Sequence, residues 1–165
     1  MKKIFAIIFL FIFCCCNGYN KDINKKLDLL KDIDYSQFSN MSIVKRGAYE
    51  YVKYNKIEYK IKRNFLTKKI TSIKDVSIIE EKDVSLSKSK DFIKRIEATL
   101  KSFDKLKILA LSVDDKDNVL LSIPWYEKCT YYFQKLSPAT TLQELNATHY
   151  KHYCDTWYID KRCSE

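Results

Sequence analysis

Glycine, proline and histidine each occur only twice in this 165-residue chain, and each scarcity excludes a class of function. Gly18 and Gly47 stand alone, so there is no glycine-rich loop to cradle a phosphate. Pro124 and Pro138 mark no Pro-rich linker, and neither an internal repeat nor a low-complexity stretch divides the chain. No block of five or six like charges separates off as a tail. The longest apolar run, from Ile4 to Phe13, has ten residues. A helix of that length rises about 15 Å, half of the ~30 Å hydrocarbon core that a retained anchor must cross.

That short run is nevertheless the most telling segment. Lys2 and Lys3 precede it, Cys14-Cys15-Cys16 follow it, and a polar stretch opens at Asn17 and Gly18. A charged start, a short apolar centre and small residues before a polar exit make an export signal that is removed after targeting. The cysteines place the cut. With Cys16 as acceptor, Phe13 stands at −3 and the small Cys14 and Cys15 at −2 and −1, whereas Cys14 or Cys15 as acceptor would put bulky Phe13 where small side chains belong. In this the segment resembles the lipobox of bacterial lipoproteins, although leucine is the usual −3 residue of that family and cysteine is unusual at −2 and −1. The resemblance covers about twenty residues and implies lipid on Cys16, a bacterial envelope location facing the periplasm, and, through Asn17 in the next position, export toward an outer membrane. The competing expectation is ordinary secretory cleavage after Gly18, which releases a soluble protein from Tyr19. In a eukaryotic secreted protein, Asn40-Met41-Ser42 and Asn146-Ala147-Thr148 would be glycosylation sequons. Asn146 reads better as a turn or helix-end residue.

The expected organisation is therefore a signal at 1–15, a lipidated N-terminus and short tether at 16–21, and a single domain at 22–165. Processing at Cys16 leaves 150 residues, enough for one core. It removes Lys2 and Lys3, leaving 28 basic against 21 acidic side chains, a net charge of +7 on the mature chain. Partners consistent with that charge are anionic lipid beside the anchor, an acidic protein or an envelope polymer. The compartment disfavours nucleic acid.

Periodicity predicts an α+β domain, an antiparallel sheet of about six to eight strands covered by two helices. Ile23, Leu27 and Leu30 predict a helix over 21–32, capped by Asn20. Phe92, Ile93, Ile96, Leu100 and Phe103 predict a second over 89–104. Alternation predicts strands on both sides of a turn at Tyr54-Asn55-Lys56, then over 70–80, 107–113, 119–123, 129–136, 147–153 and 157–162. A short helix near 138–145 is expected from the capping box Thr141-Leu142-Gln143-Glu144. The acidic turn from Asp114 to Asn118 lacks the glycine and distal glutamate of a calcium loop and reads as a solvated hairpin turn.

The last forty residues crowd together Trp125, Tyr126, Tyr131, Tyr132, Phe133, Tyr150, Tyr153, Trp157 and Tyr158. Such rings could stack on sugars, but core packing and cross-strand pairing account for them without a ligand. Beyond the signal stand Cys129, Cys154 and Cys163, in a compartment that permits disulfides. If the strand at 129–136 folds straight back onto the strand at 147–153, Cys129 lies opposite Cys154. That makes Cys129–Cys154 the first expectation and Cys129–Cys163 the second. His149 and His152 fall on opposite sides of a regular strand, so a zinc site with Cys154 and Cys163 is not expected, and neither is a cofactor. The leading expectation is a noncatalytic binding or interaction module. The alternatives are a small hydrolase or redox enzyme using Cys129, His152 and Cys154, and a glycan binder with an aromatic platform.

Overall fold

The computed structural model describes residues 23–76, 82–83, 89–126 and 128–163, with the backbone alone at 82, 83, 125 and 126. The expected lipidation residue Cys16, its tether, and part of the strand expected over 70–80 lie outside the described residues. Helix α1 (Ile23–Lys31) and a 3-10 turn (Ser36–Phe38) precede strands β1 (Met41–Arg46), β2 (Tyr49–Tyr54), β3 (Ile57–Arg63), β4 (Ile70–Asp75) and β5 (Lys82–Asp83). Helix α2 (Lys90–Leu106) leads to β6 (Ala110–Val113), β7 (Val119–Tyr126), β8 (Cys129–Lys135), β9 (Lys151–Cys154) and β10 (Trp157–Cys163).

All ten strands form one sheet in the order β5-β4-β3-β2-β1-β6-β7-β8-β10-β9, and every pairing is antiparallel. The chain runs outward from β1 to one edge. It then returns through α2 to the middle and runs outward again from β6. The class is the expected α+β, with more strands than expected. Strand β1 escapes a reading by period because its buried side supplies only Met41 and Ile43 before Lys45 breaks the pattern.

Strand alternation sends one row of side chains to a single core: Ile43 and Val52 face each other across β1 and β2, Leu111 and Leu121 across β6 and β7, and all four are buried. Leu27 and Leu30 of α1 and Ile96, Leu100 and Phe103 of α2 complete that cluster, so both helices lie on the same sheet face. Ser89 fixes the start of α2 by accepting a hydrogen bond from the Phe92 N–H at 3.1 Å, and Lys107, left-handed at φ 52°, ends it. The turn at Asn55-Lys56 has φ of 49° and 68°, the two positive values that a two-residue hairpin needs to match strand twist.

Three of the crowded aromatics, Tyr131, Phe133 and Trp157, are buried in the core. Phe133 stacks on Trp157 at 4.2 Å between centroids, Tyr35 meets Trp157 edge-on at 6.1 Å, and all three are buried. A sugar platform built on Trp157 is therefore excluded.

The opposite face of the β6–β10 half is covered by the segment 136–150, which carries turns and no helix. The Thr141–Glu144 reciprocal bonds form, at 3.3 and 3.4 Å, but Asn146 turns left-handed at φ 52° and Ala147 N–H reaches back to the Leu142 carbonyl. The expected helix is thus replaced by a closed turn, and Asn146 is the turn residue its sequence suggested. One buried side chain fastens this segment. Asn118 Oδ1 accepts from Ser137 N–H at 2.7 Å, while its Nδ2 donates to Asp114 at 2.8 Å and to Thr140 Oγ1 at 3.2 Å.

Candidate functional site

Under that fastened segment lies a cleft of about 330 Å³. Ser112, Leu120 and Gln134 form its sheet side, Asp114 and Asn118 one flank, and Leu145 to Ala147 with His149 and Tyr150 the other, with Arg162 alongside. Asp114 uses its carboxylate on its own turn, accepting from Lys116 N–H at 2.9 Å and Asn118 N–H at 2.8 Å. The expected turn forms and is solvated at 115–117, but Asn118 at its end is buried.

Gln134 is only 7% exposed, and it lines this cleft. Among the described residues no buried side-chain nitrogen or oxygen lacks a hydrogen bond, so the Gln134 amide reaches the cleft as an accessible polar group in an otherwise buried residue. Around it stand further hydrogen-bonding groups. Arg162 donates through Nε to Asp160 at 2.6 Å and through Nη2 to His149 Nε2 at 2.9 Å, and its guanidinium lies 4.6 Å from the Tyr132 ring centre. The hydrogen bond and charge of Asp160 raise the Arg162 pKa further, so the cation persists throughout the working range. Burial, reinforced by repulsion from Asp160, pushes the Tyr150 phenol up to about 12, leaving it a proton donor at neutral pH.

Ser112 and His149 share this cleft with Asp160 nearby, yet they form no nucleophile–base pair. His149 directs Nε2 to Arg162 and, at 3.2 Å, to Asp160, and no hydrogen bond joins it to Ser112.

The cysteines correct the first disulfide expectation. Cys129 is bonded to Cys163, and Cys154 is free. The expected register assumed that β8 pairs with the next strand in sequence. Instead the chain passes outward to β9 and comes back as β10, which inserts between them and sets Cys163 directly opposite Cys129. A bulge then separates the remaining thiol from histidine: Cys154 pairs with Trp157 and packs toward the core, whereas His152 pairs with Tyr158. His152 Nε2 contacts the Asp155 carbonyl at 3.0 Å and meets the Tyr158 ring edge-on. The shared side expected for His152 and Cys154 is thus lost, and the Cys/His pair is not assembled. Among the described residues no group of three His, Cys, Asp or Glu side chains could hold a metal.

Sequence reasoning missed Gln134 because it occupies a regular outward position in a strand, between Phe133 and Lys135. Only the covering segment buries it, and no local pattern announces that cover.

A second polar cluster joins the sheet to α2. Arg63, with a 6% exposed side chain, bonds Glu50 and Asp104, and Lys45 reaches Asp104 at 2.9 Å. Burial opposes ionisation of Asp104, but hydrogen bonds and charge from Arg63 and Lys45 outweigh it and hold the carboxyl below its usual range. Every charge here is answered by another, as in a structural tie. Comparison with family models, curated proteins and solved structures finds no match to this chain.

Proposed function

We propose that this protein is an exported, lipid-anchored envelope protein whose folded domain is a noncatalytic binding module, with its ligand seat in the cleft beneath residues 136–150. The observation that carries the binding role is the convergence of the Gln134 amide, the Tyr150 phenol and the Arg162 guanidinium on one cleft. The absent nucleophile–base contact and the separation of Cys154 from His152 favour binding over hydrolysis or redox work. The anchoring half rests on the Lys2-Lys3, Ile4–Phe13 and Cys14–Cys16 pattern and on its resemblance to a lipobox. Mass spectrometry of the mature N-terminus tests it: diacylglyceryl mass on Cys16 supports anchoring, and a free terminus at Tyr19 overturns it.

A sugar unit of an envelope polymer is the ligand class best matched to this cleft. Gln134 offers both donor and acceptor, Tyr150 a phenol, and Arg162 a stacked planar cation, the mixture that hydroxyl-rich rings engage. Titrating labelled protein with envelope oligosaccharides and with acidic peptides, while following the Gln134 side-chain amide signals by NMR, separates the two. Saccharide-dependent shifts of these signals and of the backbone amides lining the cleft, the latter lost in Gln134→Leu, support this reading. Peptide-dependent shifts outside the cleft refute it.

A further inference from the structure

The hairpin between β3 and β4 carries the two most exposed large apolar side chains among the described residues, Phe65 at 82% and Leu66 at 84%. The tip is built, not loose. Asn64 Oδ1 accepts from the N–H groups of Leu66 and Thr67, both at 2.9 Å, and Asn64 N–H donates to the Lys69 carbonyl at 2.8 Å. From Lys60 to Lys69 there are five basic residues and no acidic one. Lys62, Lys68 and Lys69 are exposed, and Lys68 Nζ lies 4.8 Å from the Phe65 ring centre. The nearby carboxylates of Glu50 and Asp104 are matched by Arg63 and Lys45, and Glu97, which accepts from Ile70 N–H at 2.8 Å, stands against the exposed Lys62, Lys68 and Lys69, so the tip's surroundings keep a positive surplus.

We propose that the Phe65–Leu66 tip docks the domain on a bilayer rich in anionic lipid. Two adjacent apolar side chains held out by a rigid turn can enter the boundary between headgroups and acyl chains, while the lysines around them meet lipid phosphates. The direction fits the N-terminal tether. Arg63, at the base of the tip, bonds Asp104, and Lys26 of α1 donates to the Leu106 carbonyl, so the tip and α1 both reach the last turn of α2. Residues 17–22, fully extended, span roughly 20 Å. A lipid on Cys16 and the tip can therefore meet one membrane, the second contact fixing the orientation of the domain. Only this last step rests on the anchoring reading.

The test is Phe65→Trp in the mature protein as isolated, mixed with vesicles of equal parts phosphatidylglycerol and phosphatidylcholine whose acyl chains carry bromine. Extra quenching over the parent protein, reduced at high salt and in pure phosphatidylcholine, is the expected result. In protein lacking the lipid, Lys68→Gln and Lys69→Gln should each lower the vesicle partition constant about fivefold. Vesicle capture without quenching at residue 65 overturns tip docking and leaves the anchor standing. Quenching that persists in protein lacking the lipid supports tip docking independently of the anchor. Quenching indifferent to salt and lipid charge overturns the anionic assignment, and a concentration-dependent blue shift without vesicles places the tip against a second copy and overturns the proposal.

Discussion

Removing Arg63 should be among the most damaging single changes to this fold. Its guanidinium donates from Nε to Glu50 at 3.2 Å, from Nη1 to Asp104 at 2.9 Å and from Nη2 to both carboxylates, and thereby joins β2, β3 and α2. Arg63→Met keeps much of the side-chain volume but strands Glu50, whose side chain is 13% exposed, without its cation. Breaking a buried ion pair in this way costs about 3–5 kcal/mol. Lys45 still neutralises Asp104 at 2.9 Å, so the lower end, about 3 kcal/mol, is expected. Urea unfolding followed by circular dichroism at neutral pH measures it. The double change Arg63→Met, Glu50→Gln should restore most of the loss, because Asp104 keeps Lys45 and no charge is left unanswered. The pH dependence supplies an independent check. The Asp104 carboxyl titrates below its unfolded value, so its contribution is complete above about pH 4 and disappears as pH falls through the folded pKa. Arg63→Met should therefore flatten the acid limb of the stability curve. A loss under about 1 kcal/mol with an unchanged acid limb would refute the structural tie, since that range belongs to exposed pairs.

The Cys129–Cys163 bond closes a loop with a sequence separation of 34, so Cys129→Ser with Cys163→Ser should cost about 3–4 kcal/mol in the same assay. Thiol labelling of the unfolded, unreduced domain should modify Cys154 and neither of the other two. Asn118→Ala removes three side-chain hydrogen bonds from a buried site and should cost about 2 kcal/mol; hydrogen exchange should rise across 137–150 more than in β6 and β7. Ser89→Ala deletes the cap of α2 and should lower stability by about 1 kcal/mol, read from the urea midpoint.

The helices were legible because each carries its buried residues at helical spacing, and α2 is nearly the segment that Phe92 to Phe103 predict. Strands β3, β7, β8 and β10 were legible from alternation and β-branched or aromatic residues. Strand order was not. Periodicity is local, whereas the insertion of β10 between β8 and β9 depends on where a fifteen-residue connection, 136–150, places its far end. That one insertion moved the disulfide partner from Cys154 to Cys163. It also gave Gln134 its cover, so the pairing error and the missed cleft have the same origin.

An open sheet of ten strands must also protect its two edges, which offer unpaired backbone groups to any passing strand. Among the described residues both edge strands are short: β5 has two residues, and β9 has four with a register shift opposite Trp157 and Tyr158. Lys151 and His152 on β9 are exposed, which places a charged and a polar side chain where another strand would have to dock. The β9 bulge therefore serves two ends. It spoils the regular edge, and it turns Cys154 inward against Trp157 while leaving His152 outside, which is why a cysteine and a histidine two residues apart form no reactive pair.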